Sequence, residues 1–285
     1  MRIVRTAQAL KRALESSRQK GLSIGFVPTM GYLHQGHTSL VRSSIKTHDV
    51  TVVSIFVNPL QFGPKEDFSS YPRDLKKDSA LLRSLNVDCL YLPDTSDFYP
   101  KDFQTTVAVG QLSQPLCGKT RPTHFSGVTT VVLKLLNLVQ PQTLFLGQKD
   151  FQQCRVIEQM IEDLGVGVRV RRMPIVREPD GLAMSSRNVY LSSEDRKQAL
   201  CLSQSLVAAK ALIRKGNKAP NEIKKTIKGI ISKASHAKID YIEIVDARTL
   251  QNVVNFSNDV PVVLVALAVF FGSTRLIDNA VIPVR

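Results

Sequence analysis

Two histidines separated by two residues follow an apolar stretch of this chain. His34 and His37 belong to the sequence His-Gln-Gly-His, with Gly31 three residues before the first histidine and Gly36 between the two. Glycine lets a backbone approach an anion closely. Thr38 begins a predicted helix, and the N–H groups and dipole at a helix start favour negative charge. The segment therefore predicts a site for nucleotide phosphates, although a lone histidine near a turn is usually a surface or core feature.

Two neutral amides follow a second apolar run. Asn58 and Gln61 come directly after the predicted strand 50–57, in the sequence Asn-Pro-Leu-Gln-Phe. Amide groups hydrogen-bond a carboxylate or a hydroxyl without supplying a charge that would quench a nucleophile. The loop predicts a binding site for a small polar substrate, and ordinary turn chemistry around Asn-Pro is the alternative.

A lysine and an aspartate follow another predicted strand. Lys149 and Asp150 come two and three residues after Gly147, and Gln153 lies one helical turn beyond the lysine. We expect Lys149 to reach a phosphate and Asp150 to bind a ribose hydroxyl. An exposed Lys-Asp pair at a helix start is the alternative.

The fourth cluster offers two hydroxyls and a guanidinium. Ser185, Ser186 and Arg187 lie in the segment 181–188, Gly-Leu-Ala-Met-Ser-Ser-Arg-Asn. Such a loop can close over a triphosphate. A solvated polar linker is the alternative.

Alternating apolar runs and helical periods must position these clusters. The predicted strands are 24–28, 50–57, 89–92, 143–146 and 168–173, and the predicted helices are 38–46, 74–86, 128–139 and 151–164. Strands that alternate with helices are typical of a parallel sheet covered by helices, an α/β, Rossmann-like layout. Ligands of such folds bind beyond the carboxyl ends of the strands, which is where the clusters fall.

A charged segment with proline and glycine, 176–181, predicts a linker. We expect a Rossmann-like domain that binds nucleotide and substrate at 1–176 and a smaller α+β lid domain at 177–285. Ser192 and Asp195 resemble a capping box for a helix that runs to about Lys215. A second helix is predicted for 220–236, followed by strands at 241–245, 262–271 and 275–278.

The composition, with 43% hydrophobic residues, is that of a globular chain. The start, Met-Arg-Ile-Val-Arg, does not read as a secretory signal, and the longest apolar stretch, 260–271, is too short to span a bilayer. We therefore expect a cytoplasmic protein with no membrane partner. The four cysteines are scattered without a Cys-x-x-Cys pair, which argues against a zinc site or a disulfide framework.

The formal net charge of +14 suggests either nucleic acid or small polyanions as partners. The basic residues are spread along the chain, with no long basic tail or patch interleaved with aromatic residues. This distribution favours small polyanionic ligands and predicts no nucleic-acid partner.

Taken together, the motifs resemble one family over nearly the whole chain, the pantothenate synthetases of the H-x-G-H nucleotidyltransferase superfamily. The motifs are Pro-Thr-Met-Gly at 28–31, His-Gln-Gly-His at 34–37, Phe-Val-Asn-Pro-Leu-Gln-Phe at 56–62, Tyr-Pro-Arg at 71–73, Gly-Gln-Lys-Asp-Phe-Gln-Gln at 147–153 and Asp-Gly-Leu-Ala-Met-Ser-Ser-Arg-Asn at 180–188. His-x-Gly-His alone indicates only the superfamily, and the other motifs make the resemblance specific.

The resemblance implies ATP-dependent condensation of pantoate with β-alanine through pantoyl adenylate, with release of pyrophosphate and AMP. It implies that catalysis depends on His34, His37, Lys149 and Arg187. It implies ATP contacts from Met30, His34, His37, Gly147, Lys149, Asp150, Val176, Met184, Ser185, Ser186 and Arg187, and pantoate contacts from Asn58, Gln61 and Gln153. A Mg²⁺ ion with Asp78 as its protein ligand, and a homodimer, are also implied.

The chain departs from the family pattern at Thr123, where glycine is usual, and at Lys77, where an acid is sometimes found. Two rival classes remain. Another adenylyltransferase or cytidylyltransferase shares His-x-Gly-His but should lack the paired glutamines Gln61 and Gln153. A non-catalytic RNA-binding descendant should have lost site residues, and none is missing.

Overall fold

The computed structural model describes residues 1–64, 66–216, 219–257 and 259–284. The chain forms two compact units. The N-terminal unit comprises residues 1–113, 118–148 and 153–174, and the C-terminal unit comprises 114–117, 149–152 and 175–285. The main division therefore lies at 174/175, and two short earlier segments pack with the later part of the chain. The predicted lid role of the second domain stays a prediction.

The N-terminal unit is built on a sheet of six parallel strands. The strands are β1 (Arg2–Val4), β2 (Ile24–Thr29), β3 (Val50–Ile55), β4 (Cys89–Tyr91), β5 (Thr143–Gly147) and β6 (Arg169–Met173). Their order in the sheet is β1-β4-β3-β2-β5-β6, and every neighbouring pair is parallel. The predicted α/β, Rossmann-like sheet is confirmed. The sequence did not predict β1, whose three residues are too few to show a period.

Helices connect these strands. They are α1 (Ala7–Gln19), α2 (Gln35–Thr47), α3 (Leu75–Ser84), α4 (Thr95–Phe98), α5 (Cys117–Thr120), α6 (His124–Val139) and α7 (Phe151–Asp163). Helices α1, α4 and α5 were not predicted from the sequence. The predicted starts of α2 and α6 lie three and four residues too late, respectively. Their first turns are polar or contain glycine and therefore interrupt the apolar period.

Both faces of the sheet are buried. Phe26 and Val52 belong to a core shared with α1, α6 and α7, whereas the next residues, Val27 and Val53, belong to a core shared with α2 and α3. Successive strand residues point to opposite faces, so a continuous apolar run is what a sheet covered on both sides requires.

Strands β2 and β5 separate towards their carboxyl ends. Their pairing consists of Gly25 with Thr143 and Phe26 with Leu144, while β2 remains paired with β3 as far as Thr29. Pro28 lies in this unpaired stretch, and proline has no N–H to donate to a neighbouring strand. Because the order of connections reverses between β2 and β5, the opening lies at the switch point where such sheets bind ligands.

The C-terminal unit is a three-stranded antiparallel sheet with helices. The strands are β7 (Ala237–Asp246), β8 (Val262–Phe271) and β9 (Thr274–Pro283), in the order β7-β8-β9, and the helices are α8 (Ser193–Gln198), α9 (Cys201–Arg214) and α10 (Pro220–Ile231). The predicted α+β class is confirmed.

The single helix predicted from Ser192 to Lys215 is wrong, since α8 and α9 are separate. A tight turn interrupts them, in which Leu200 N–H donates to Lys197 O and Leu202 N–H donates to Ala199 O. The predicted cap is present, because Ser192 Oγ accepts the Asp195 N–H at 3.0 Å.

Candidate active site

The two histidines lie at the start of helix α2. His34 is the residue that caps this helix, and its Nδ1 accepts the N–H of Gly36 at 3.1 Å. His37 Nδ1 accepts the His34 N–H at 3.3 Å, and the two ring centroids are 4.1 Å apart. A neutral imidazole that accepts at Nδ1 carries its proton at Nε2. Both rings are therefore fixed in the tautomer that presents an Nε2–H donor.

The turn before these histidines is held by a buried carboxylate. Asp78, on α3, is 2% exposed and accepts the N–H groups of Tyr32 and Leu33, each at 2.8 Å. Gly31 has a φ of +87°, and a Cβ there would lie 3.0 Å from Ile55 Cγ2 and 3.2 Å from Asp78 Oδ2. Positive φ and this close approach both require glycine. The turn that leads to His34 is thus fixed by α3 and by the end of β3.

Burial raises the pKa of Asp78 above its usual value, and the two backbone N–H donors oppose this shift. Within residues 1–64, 66–216, 219–257 and 259–284, no group of three or more His, Cys, Asp or Glu side chains could hold a metal ion. Asp78 as a magnesium ligand therefore stays a prediction, while its contact with the turn is structural.

The amide cluster follows β3. Asn58, 1% exposed, donates from Nδ2 to Gln61 Oε1 at 3.1 Å, which turns Gln61 Nε2 towards Met30 Sδ, 3.2 Å away. Asn58 Oδ1 also accepts the hydroxyl of Tyr99 at 3.0 Å. The structure thus brings Met30, Asn58 and Gln61 together. Asn58 holds Gln61 in one orientation, and direct contact of Asn58 with pantoate stays a prediction.

Arg121, His124 and Gly127, which were not predicted as site residues, contact the Gln61 turn from helix α6 and the residues before it. The Gln61 carbonyl accepts from Arg121 Nη2 at 3.2 Å and lies 2.9 Å from His124 Nδ1. At Gly127, a Cβ would lie 2.2 Å from Leu60 O, so only glycine permits this approach. The usable signal was the segment 121–128, which the sequence analysis noted only for Thr123. Thr123 has a φ of −93°, and its backbone therefore does not require glycine.

A cavity of about 280 Å³ opens beside this cluster. Met30, Gly31 and Ile55 line it at the carboxyl ends of β2 and β3, together with charged residues of both signs, Arg5, Arg73, Asp74, Asp78 and Asp94. Gln61 reaches this wall through its contact with Met30. Met30 is thus the residue that the cavity and the amide cluster share, and Gln61 itself is not among the lining residues.

The cluster after β5 is divided between the two units. Gly147 ends β5 in the N-terminal unit, and Gln153 lies half-buried in the first turn of α7. Lys149 and Asp150 belong to the C-terminal unit, where Lys149 Nζ lies 3.6 Å from Asp150 Oδ2. An ion pair this exposed contributes about 0–1 kcal/mol, so a phosphate can replace the aspartate as the partner of the lysine.

The fourth cluster follows a tight turn of the C-terminal unit. Met184 N–H donates to Val176 O at 3.0 Å, which closes the turn between them. Ser185 caps a short 3₁₀ helix, Ser186–Tyr190, and its Oγ accepts the Arg187 N–H at 3.3 Å. Ser186 is buried, whereas Ser185 and Arg187 are half-exposed. The predicted loop is therefore a hydrogen-bonded turn followed by a short 3₁₀ helix, and its closure over a triphosphate stays a prediction.

A parallel sheet that opens at its switch point, with two imidazole donors at the adjacent helix start, defines a nucleotide-binding α/β enzyme of the class expected from the sequence. Residues 2–281 match the family model of pantoate-beta-alanine ligase. The chain belongs to the pantoate-beta-alanine ligase family. The family and the ligase activity that the sequence predicted are confirmed.

Relatives and solved structures agree. The chain is 52% identical over 282 residues to a pantothenate synthetase of Thermotoga neapolitana, covering 99% of this chain and 100% of the relative. A pantothenate synthetase structure from Thermus thermophilus matches with a TM-score of 0.92 at 43% identity, over 98% of this chain and 99% of that one.

A pantoate-beta-alanine ligase of Francisella tularensis, solved in complex with beta-gamma ATP and β-alanine, matches with a TM-score of 0.79 at 35% identity. The match covers 98% of this chain and 97% of that one. Among the residues that the structure describes here, no helix is long and apolar enough to cross a membrane.

Proposed function

We propose that the chain condenses pantoate with β-alanine by using ATP to activate the pantoate carboxylate. A carboxylate oxygen attacks the α-phosphorus of ATP, the bond from that phosphorus to the β-phosphate oxygen breaks, and pyrophosphate leaves. A carboxylate is already ionised at pH 7, so this step needs no general base. Catalysis then depends on positioning and on stabilising the charge that develops on the phosphates.

In the second step the amine of β-alanine attacks the carbonyl carbon of pantoyl adenylate. The bond between that carbon and the bridging oxygen breaks, AMP leaves with the oxygen, and the amine loses a proton as the amide forms. The complex of the Francisella protein contains beta-gamma ATP and β-alanine, which supports ATP and β-alanine as substrates of this chain.

The proposal rests mainly on the two histidines at the start of α2, which share the same tautomer, with the proton on Nε2. Two Nε2–H donors, His34 and His37, are fixed by backbone hydrogen bonds at a helix N-terminus, where negative charge is favoured. Donors that are preorganised in this way stabilise phosphate oxygens without reorganising during the reaction. Met30 and Gly147 flank the opening between β2 and β5 and are assigned to ATP.

We assign the pantoate hydroxyls and carboxylate to Gln61 and Gln153. The orientation of the Gln61 amide supports this, because Asn58 fixes which end of the amide faces Met30. A neutral donor orients a carboxylate without lowering its nucleophilicity as a cation would.

In the C-terminal unit, we assign phosphate contacts to Lys149, Ser185, Ser186 and Arg187. Lys149 and Arg187 supply charge, and the two hydroxyls supply hydrogen bonds. Further ATP contacts are assigned to Asp150 with the ribose and to the backbone of Val176 and Met184.

We assign a Mg²⁺ ion to the phosphates of ATP, with Asp78 as the protein ligand. Mg²⁺ is usually held by one or two carboxylates together with substrate phosphates, and Asp78 lines the cavity next to Met30, where each of its oxygens also accepts a backbone N–H. When bound, the ion neutralises charge on the phosphates.

We also propose that the enzyme works as a cytoplasmic homodimer. The four cysteines are buried thiols, which supports a reducing compartment. The dimer rests on the family resemblance, and sedimentation of the purified chain tests it.

The proposed reaction is tested by AMP formation from ATP with purified enzyme. We expect pyrophosphate release only when pantoate and ATP are both present, with AMP retained in pantoyl adenylate, and AMP release only when β-alanine is added as well. Pyrophosphate release driven by a phosphorylated acceptor in place of pantoate, with the AMP group transferred to that acceptor, would instead support a different nucleotidyltransferase.

A further inference from the structure

Two segments with assigned phosphate contacts are attached to the same point of strand β9. Asp278 and Asn279 are consecutive residues of this strand, which lies at an edge of the three-stranded sheet and pairs with β8. Consecutive side chains of a strand point to opposite faces. One dipeptide can therefore hold a different segment of the C-terminal unit on each side of the sheet.

Asn279 holds the backbone of Lys149. Its Nδ2 donates to the Lys149 carbonyl at 2.8 Å, and the side chain is buried, with 5% of the residue exposed. A carbonyl accepts hydrogen bonds only, so this contact requires a donor on the strand. An aspartate here would place a carboxylate oxygen against the carbonyl oxygen.

Asp278 holds the turn that leads to the Ser185–Arg187 cluster. Arg177 donates to its carboxylate through both terminal nitrogens, at 2.6 and 2.9 Å, and also donates to the Gly181 carbonyl at 3.0 Å. The Asp278 carboxylate additionally accepts the Asn279 N–H at 2.8 Å. A carboxylate that is 2% exposed needs such a set of donors to remain buried and charged.

We propose that Asp278 and Asn279 are positioning residues for ATP. They fix the distance between the Lys149 backbone and the turn before Arg187. The Lys149 ammonium and the Arg187 guanidinium are then held at a constant distance from each other and can bind one triphosphate together. Neither residue is assigned a contact with substrate. Asn279 acts through Lys149, and Asp278 acts through Arg177. The proposal rests on the proposed function, which assigns Lys149 and Arg187 to the phosphates.

The isosteric substitution Asn279→Asp removes the donor without creating a cavity. We expect the KM for ATP to rise about tenfold, the effect of one lost buried hydrogen bond, while the KM for pantoate stays within about twofold. Arg177→Lys, which breaks the two-point contact at a half-exposed guanidinium, should give the same selective effect with less risk to folding. Asn279→Gln, which keeps the donor, should recover part of the loss.

The matched control is Glu243→Gln. Glu243 lies on β7 of the same sheet, and its carboxylate forms a 2.5 Å ion pair with Lys224 of α10, so both KM values should be unchanged. Unchanged KM values for ATP in Asn279→Asp and Arg177→Lys, or an equal rise for ATP and pantoate, would overturn the proposal.

A double-mutant cycle separates this proposal from the proposed function. In a Lys149→Ala background, Asn279→Asp should cost much less than in the wild type, because the group that it positions is gone. If Lys149→Ala leaves the KM for ATP and the rate intact, the assignment of Lys149 fails. If Lys149→Ala impairs ATP use and Asn279→Asp has its full effect in both backgrounds, positioning through Lys149 fails while the assignment survives.

Discussion

The ring orientations of the two histidines in this site are determined by hydrogen bonds with the backbone. His34 and His37 use one ring nitrogen to accept an N–H, which decides where the proton of each ring lies. Gln61 is oriented by a side chain instead, that of Asn58. The residue types can be read from the sequence, but the tautomer and the amide orientation come only from these contacts.

Replacing either histidine should slow adenylate formation. We expect His34→Ala and His37→Ala each to reduce the single-turnover rate of pantoyl-adenylate formation about 10²-fold or more, because a preorganised donor to developing phosphate charge is lost. His48→Gln, at the other end of α2, is the control and should retain the wild-type rate. Rates near wild type in both alanine variants at saturating ATP would show that the rings do not contact the phosphates.

Replacing Gln61 or Gln153 should weaken the binding of pantoate more than that of ATP. We expect Gln61→Ala and Gln153→Ala each to raise the KM for pantoate about tenfold, with little change for ATP, because each loses a hydrogen bond to the substrate. Gln159→Ala, on the exposed face of α7, is the control. A selective loss of ATP affinity in the glutamine variants would contradict the assignment.

At the scale of elements, most of the fold could be predicted and the close contacts could not. The predicted strands of the parallel sheet are present because continuous apolar runs of strand length are what a doubly covered sheet produces. The start of α6 was missed because Gly127 and polar residues interrupt its period. Gly127 is there for a contact with Leu60, far earlier in the sequence, which no local pattern reveals.

The contact between α6 and the Gln61 turn gives a prediction with an internal control. A Cβ at Gly127 would lie 2.2 Å from Leu60 O and 2.7 Å from Gln61 N, so Gly127→Ala must displace the turn. We expect a loss of about 1–3 kcal/mol in stability and weaker pantoate binding. Gly229→Ala, in α10, meets nothing within 4 Å and should be neutral or stabilising by up to about 1 kcal/mol.

Denaturant unfolding and pantoate titration of both variants measure these effects. Equal stabilities of Gly127→Ala and Gly229→Ala, with unchanged pantoate binding, would mean that the close approach does not constrain the site.

At the scale of the whole molecule, stability should depend on the protonation of His48. Burial lowers the pKa of His48 below its usual value of 6.5, and the charges of Arg171 and Arg169 act in the same direction, against the carbonyl of Ser44 and the charge of Asp49. The unfolded chain therefore takes up this proton at a higher pH than the folded chain. Neutral His48 therefore contributes fully to the free energy of unfolding above about pH 6.5. This contribution is lost as the pH falls through the pKa of His48 in the folded protein.

We expect the melting temperature of the wild type to fall more between about pH 7 and pH 5 than that of His48→Gln. Thermal unfolding followed by circular dichroism at fixed ionic strength measures the difference. Parallel profiles for the two proteins would show that His48 titrates alike in both states.

Oxygen-18 in the pantoate carboxylate tests most directly whether this carboxylate attacks the α-phosphorus of ATP. Each AMP released with β-alanine should then carry one pantoate oxygen, because the second step breaks the bond between the carbonyl carbon and the bridging oxygen. Pyrophosphate should carry no label. Unlabelled AMP, or label in inorganic phosphate with formation of ADP, would show that the carboxylate does not attack the α-phosphorus.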